Sequence, residues 1–354
     1  MDVGIVGRAG SGRTTLFRAL LAHRVPRSGS GRQAGGAVGS IHVQDPRLDR
    51  LAQFFRPEKR TPIEIRVHDL CPSLEPSFPT AEIEAMKRMD VLLGVVPGFA
   101  DASSAALEKA LAELLEELYL EDLTAIERRI ERAARDKLPP TEHEALEIAR
   151  TTLEAERPVR LSPLNEPQRR ALRGYALVSD RPLIVVLNAA EEAAGASPPE
   201  PLQRRAAEQD TRLITICAAL EAEMAELPEE ERLAFLAEYG VTAAAGPSVT
   251  RAILETSHTV PFFTVGEDEC RAWGIPRGTR AREAAGKIHS DIERGFIRAE
   301  VIAFDELEAL AAEGHGARSG AELLAEARKR GKLRLEGRDY VVQDGEIVHF
   351  RFNV

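Results

Sequence analysis

The sequence predicts an α/β protein that carries a helical insertion and a small C-terminal α+β domain of β-grasp type. Three observations predict it. The chain opens on an apolar run, Val3–Val6, that passes through a glycine-rich turn into helical sequence at Thr14–Leu21, the opening βα unit of an α/β domain. Residues 105–135 hold a long amphipathic helical pattern without proline. Beyond Thr259, strand-like runs surround a helical one.

The bulk properties bound the rest. A chain of 354 residues is long enough for two or three domains. Its 44% hydrophobic and 29% charged content is that of a folded protein, which excludes wholesale disorder. The formal net charge of -10 excludes a generic polyanion binder, so nucleic-acid contact requires a local basic patch. Cys71, Cys217 and Cys270 are far apart with no C-x-x-C pair, which favours reduced thiols over a disulfide framework or a zinc knuckle. The start, Met1–Val6, has neither a basic region nor a long apolar run, and the longest apolar runs, Val91–Phe99 and Leu183–Leu187, are too short to span a bilayer. A cytoplasmic protein without membrane contact is expected.

Taken in order, Arg24–Gly39 is rich in Gly, Ser and Arg and reads as a loop. Ile41–Val43 reads as a short strand, and Leu48–Phe55 as a helix ended by Pro57. Ile63, Ile65 and Val67 alternate with polar residues and mark a half-buried strand ending at Asp69. Val91–Val96 is the continuous apolar run of a buried central strand. Leu107, Leu111, Leu114 and Leu118, then Leu123, Ile126 and Ile130, trace a coiled-coil-like seam. Leu138-Pro139-Pro140 breaks it, and Thr141 with Glu144 predicts a capped second helix running to about Arg157. The pair reads as an antiparallel helical arm, with two helices packed on the main domain as the alternative. Leu183–Leu187 and Leu213–Cys217 return to the buried-strand pattern, so the arm is an insertion. Glu192–Gln209 is acidic and reads as surface. The expected division is 1–100 and 173–258 for the α/β domain, 101–172 for the arm and 259–354 for the C-terminal domain. In that last part Pro261–Val265 and Val301–Phe304 read as strands and Ala281–Arg294 as one helix. Tyr340–Val342 and Ile347–Phe352 read as a hairpin turning at Asp344-Gly345.

The turn after the first strand is Gly7-Arg8-Ala9-Gly10-Ser11-Gly12-Arg13-Thr14. It matches the P-loop pattern G-x-x-x-x-G-K-[ST] at every fixed position except the lysine, here Arg13. The glycines let backbone N–H groups converge on one anion, and the helix N-terminus adds a favourable dipole. Thr14 supplies a hydroxyl for Mg2+. Guanidinium is planar and bulkier than ammonium, and need not place its charge at the same point.

Gly4–Gly7 through Thr14–Leu20 resembles the start of the YchF family, the Obg-like ATPases. So do Asp45–Ala52 and Cys217–Glu223. Phe262–Thr264, Arg271–Trp273, Ala284–Asp291 and Arg294–Val301 look like the same family, and Gly331–Gly337, Asp339–Gly345 and His349–Val354 are near-verbatim. The resemblance implies a P-loop NTPase G domain with an inserted coiled-coil arm, a C-terminal TGS (ubiquitin-like β-grasp) domain, a preference for ATP, and association with ribosomes. It implies nucleotide contacts from Gly7, Gly10, Ser11, Gly12, Arg13, Thr14 and Thr15, from Asn188 and Glu191 at the base, and from Cys217 and Ala218. Mg2+ would be held by Thr14 and Asp69. The Asn-x-x-Glu at Asn188–Glu191 stands where related GTPases have Asn-Lys-x-Asp, and goes with relaxed or adenine preference.

Three departures weaken the machinery for hydrolysis. Arg13 replaces lysine. Pro72 in Asp69-Leu70-Cys71-Pro72 replaces the glycine whose N–H would meet the γ-phosphate, and proline has no N–H. Residues 27–40 offer Ser28, Ser30 and Ser40 but no threonine to close on Mg2+. No catalytic residue is assigned, and His68 reads as packing or solvent-facing. Two functions stay open: a nucleotide-binding protein with slow or absent hydrolysis, and a non-enzymatic scaffold that contacts ribosome or RNA through its arm and C-terminal domain. For such a surface the local basic set is Arg271, Arg277, Arg280, Arg282, Lys287, Arg294 and Arg298, with a solvated face as the plain alternative. Cys270 beside Arg271 is a candidate reactive thiol.

Overall fold

The computed structural model describes residues 1–22, 36–70, 78–224, 227–228, 231–232, 244–313 and 319–353. Residues Cys71, Pro72, Ser28 and Ser30 of the sequence reading lie outside them. The chain forms two compact units, one of Met1–Ile41 with Ile65–Thr256 and one of His42–Glu64 with Ser257–Val354.

The first unit is built on a six-stranded sheet. Its strands are β1 (Asp2–Val6), β2 (Ala37–His42), β4 (Glu64–Asp69), β5 (Val91–Gly98), β6 (Leu183–Ala189) and β7 (Arg212–Ile216), in the order β2-β4-β1-β5-β6-β7. From β4 to β7 every pairing is parallel. The apolar runs of β5 and β6 are buried along almost their whole length, as strands covered on both faces must be. β4 instead alternates exposed and buried residues, which its alternating sequence dictates.

Helices α1 (Arg13–Ala22), α3 (Thr80–Met86), α4 (Ser104–Glu131), α5 (Ala133–Asp136), α6 (Pro140–Glu154), α7 (Glu166–Leu172), α8 (Glu200–Glu208), α9 (Ala218–Met224) and α10 (Ala245–Thr256) complete the unit. The long helix α4 buries Leu107, Leu111, Leu114, Leu118 and Ile126, the seam read from the sequence. These share one core with Leu92 and Val96 of β5, Leu183 and Val185 of β6, and Ala145, Leu146 and Ala149 of α6. The inserted helices therefore lie against the sheet. A buried carboxylate secures the chain's return: Asp122 of α4 accepts hydrogen bonds from the backbone N–H groups of Val178 (2.9 Å) and Ser179 (2.6 Å). Helix α6 starts at Pro140, with Pro139 as its cap and no side-chain bond, so Thr141 is not the cap. Proline at the first helical position needs no amide hydrogen, which lets the helix begin one residue before the threonine.

The second unit contains the other six-stranded sheet, β11-β10-β12-β8-β9-β3. Its strands are β3 (Lys59–Thr61), β8 (Thr259–Thr264), β9 (Glu269–Pro276), β10 (Phe296–Ala303), β11 (Arg334–Glu336) and β12 (Glu346–Phe352). Around it lie α2 (Pro46–Phe55), α11 (Ala281–Ile288), α12 (Ser290–Arg294), α13 (Phe304–Glu313) and α14 (Gly320–Lys329). Residues 42–64, which the sequence reading kept with the first hundred, group here because β3 pairs in parallel with β9. The helix expected over 281–294 is two, broken at His289, whose extended backbone lets its ring accept the N–H of Asp291. The expected hairpin is also absent. Val341 bridges Arg280 instead, and β12 pairs with β10 and β8. Among the described residues no helix is long and apolar enough to cross a membrane.

Candidate functional site

The site gathers at the C-terminal ends of β1, β4, β5 and β6, where an open parallel sheet leaves room for a ligand. The loop Gly7–Gly12 joins β1 to α1 and holds three glycines at positive φ: Gly7 (152°), Gly10 (81°) and Gly12 (89°). Gly12 is the most constrained. A side chain there would be strained by φ and would run into the amide nitrogen of Asn188.

That close approach has a purpose. Asn188 Nδ2 donates to the Ser11 carbonyl (3.0 Å), and its Oδ1 accepts the N–H of Ala218 (3.1 Å). One buried side chain at the end of β6 thereby joins the loop to the start of α9. Asn188, Cys217 and Ala218, read from the sequence as base-side residues, are brought together. Glu191 opens a short 3-10 turn over Glu191–Ala193 and is exposed. Burial pushes the Cys217 thiol up, with Glu191 and Glu221 adding to the effect.

At the start of α1, Thr14 Oγ1 donates to Asp69 Oδ2 (2.9 Å) at the end of β4. Burial pushes the Asp69 carboxyl up, opposed by that hydrogen bond and by the charges of Arg13 and Arg18. Thr15, the next residue of α1, is half-buried.

Arg13 borders the cavity beside the loop but is already engaged by a carboxylate. Its Nη1 lies 2.6 Å from Glu82 Oε1 on α3, and the two side chains are only 4% and 3% exposed. Glu82 carried no sequence signal, since it sits among alternating polar and apolar residues of an ordinary helical turn. Burial pushes its carboxyl up, opposed by Arg13, while Glu117 and Asp69 add to the rise. Around the loop three buried oxygens have no hydrogen-bond partner among the described residues: Ser11 Oγ, Asp69 Oδ1 and Glu82 Oε2. Buried oxygens without a partner are costly. Beside them opens a cavity of about 480 Å³, bordered by the loop, Phe78, Glu82, the end of β5, and Glu113 and Glu117 of α4.

His68 Nε2 donates to Asp2 Oδ1 (2.8 Å), and neither residue lines that cavity. Ser40 lies on β2. In the second unit the basic residues have different surroundings. Arg271 stacks on Trp273 (3.9 Å) and Arg280 pairs with Asp339 (3.0 Å). Arg282, Arg294 and Arg298 instead border a cavity of about 500 Å³ together with Arg338, which the sequence reading did not select. Cys270 is wholly buried and its thiol is pushed up by that burial, so it is not the reactive cysteine its arginine neighbour suggested.

A parallel sheet, a glycine turn of P-loop pattern and a threonine–aspartate pair at its mouth define an α/β protein of the P-loop class. Residues 260–353 match the family model YchF-GTPase_C, described as "Protein of unknown function (DUF933)". The whole chain is 32% identical to the "Ribosome-binding ATPase YchF" of Bacillus subtilis (strain 168), covering 100% of each. It is 33% identical to the protein of that name from Haemophilus ducreyi (99% of each) and 27% identical to "Obg-like ATPase 1" of Oryza sativa subsp. japonica, covering 100% of this chain and 92% of that one. The chain belongs to the YchF family. Among solved structures, that of the Schizosaccharomyces pombe YchF GTPase superposes with a TM-score of 0.82 at 22% identity, covering 99% of this chain and 97% of that one, a likeness of fold.

Proposed function

We propose that this protein binds a purine nucleoside phosphate, ATP or GTP, with Mg2+, hydrolyses it slowly or not at all, and works in the cytoplasm in association with the ribosome. The observation that carries the nucleotide half is the loop itself. Three glycines at positive φ, in a loop that Asn188 fastens to the helix start at Ala218, lie ahead of the N-terminus of α1, where an anion would be stabilised. Thr14 and Asp69 would hold the Mg2+. Their oxygens suit a hard cation, and the partnerless Oδ1 of Asp69 is a ligand in waiting. A bound cation supplies charge neutralisation for the phosphates.

Slow turnover follows from what surrounds the loop. Arg13 is engaged by Glu82. The same pair favours the second reading, a scaffold that has lost turnover, because a buried ion pair keeps the loop folded without a ligand. The family's naming and the arginine-lined cavity of the C-terminal unit, read here as part of a TGS domain, support ribosome or RNA contact.

Calorimetry with ATP and GTP, with and without Mg2+, tests the reading, alongside Arg13→Lys. Micromolar binding by the natural protein supports it and shows the preferred base. Binding only after Arg13→Lys would replace it with the scaffold role.

A further inference from the structure

We propose that Glu82 is a specificity-determining residue that sets this site to take a nucleoside diphosphate in preference to a triphosphate. The inference rests on the nucleotide reading above. Arg13 stands where a P-loop lysine reaches the outermost phosphates. Its guanidinium already holds a carboxylate 2.6 Å away, and both side chains are almost fully withdrawn from water. The second oxygen of that carboxylate is buried without a partner.

The space next to this pair is acid-walled. Among the described residues, Glu82, Glu113 and Glu117 border the cavity against two cations, Arg8 and Arg13. Both cations are engaged, Arg8 by Glu113 and Arg13 by Glu82. A terminal phosphate entering there would bring further negative charge beside the buried Glu82, where the described lining holds more carboxylates than cations. Repulsion at such distances is worth several-fold to a hundredfold in affinity, on the order of one to a few kcal/mol per charge at an effective dielectric near 20. Burial already holds the Glu82 and Glu117 carboxyls above the usual range, a sign that the wall disfavours added negative charge. A diphosphate avoids this penalty. Its two phosphates reach the loop's N–H groups and the start of α1, and need not pass between Arg13 and Glu82.

The test is titration calorimetry of the full chain with the Mg2+ complexes of ADP and GDP and of their non-hydrolysable triphosphate analogues. The natural protein should bind the diphosphate at least about tenfold more tightly, the scale of one charge repulsion. Glu82→Gln keeps the shape and removes the charge, and should narrow that ratio about tenfold by tightening the triphosphate alone. Equal affinity of the natural protein for both, or a ratio untouched by Glu82→Gln, would overturn the proposal. Binding of no nucleotide by the natural protein or by Arg13→Lys would remove the nucleotide reading and this inference with it. Should Glu82→Gln not fold, as judged by circular dichroism, Glu117→Gln acts on the same wall without touching the ion pair. It should shift the ratio in the same direction, and no shift counts against the proposal.

Discussion

The amide of Asn188 touches the glycine loop Gly7–Gly12 through the Ser11 carbonyl, 3.0 Å away, at the point where Gly12 has no side chain to interfere. The same side chain takes the N–H of Ala218. Asn188→Ala should therefore leave two buried backbone groups without partners and cost about 1–3 kcal/mol for each. Urea denaturation gives the loss of stability, and nucleotide affinity should fall with it. Gly12→Ala reaches the same end from the other side, by pushing Asn188 away, and should abolish binding.

The buried pair of Arg13 and Glu82 makes a sharper prediction. Arg13→Ala removes the only ion-pair partner described for Glu82 and leaves its carboxyl buried. The expected loss is about 3–5 kcal/mol. Arg13→Ala combined with Glu82→Ala removes both charges and should recover part of it. A double-mutant cycle in urea measures the difference, and additive losses would show that the pair contributes nothing to folding.

The stability of this protein should rise as the pH is lowered from neutral. Burial holds Asp69, Glu82, Glu117, Asp122 and Asp180 above the ordinary carboxylate range. A carboxyl with a raised folded value binds its proton more readily folded than unfolded. Its contribution is complete below the ordinary value of about 4, and is lost as the pH rises through the raised value. Urea midpoints should accordingly increase from pH 7 toward about 5. Asp2, held low by His68 and Arg66 against burial, works the other way and its contribution is lost at still lower pH. Asp122→Asn should flatten part of the slope.

Within the inserted helices, Leu111→Ala empties a fully buried site shared by α4 and the sheet. The cost should be about 2–5 kcal/mol, and differential scanning calorimetry should show one lowered transition for the first unit. Leu120→Ala on the same helix removes an exposed side chain and should cost almost nothing.

Cys217 and Cys270 are buried at 5% and 0% exposure. In a Cys71→Ser variant, a thiol reagent should label neither at an appreciable rate until denaturant is added. Fast labelling of Cys270 in the native protein would restore the reactive-thiol reading.

How much of this was legible depends on the range of the forces involved. The loop Gly7–Thr14, the strands at Val91 and Leu183, and the leucine seam of α4 could be read because each is written in local spacing: turn glycines, continuous apolar runs, a helical period. The hairpin at Asp344-Gly345 was misread because its turn signal is local while the partner is not. Val341 instead bridges Arg280, 61 residues away in sequence. The helices at 304–313 and 320–329 are not among the elements read from the sequence, although Ser319 and Glu322 form the capping box that begins the second. Arg338 was passed over because it lies far along the chain from the arginines it joins.

By itself the sequence determined that this chain would build a P-loop α/β domain with a helical insertion and a YchF-type C-terminal domain, since periodicity, glycine placement and near-verbatim segments survive in any context. Only the tertiary structure decided what Arg13 does. An arginine at that position can clasp a phosphate or a neighbouring carboxylate, and the choice is made by Glu82, 69 residues away, brought to 2.6 Å by the packing of α3 beside the loop. Burial then makes the choice matter, because with little water to screen them neither charge can be left alone.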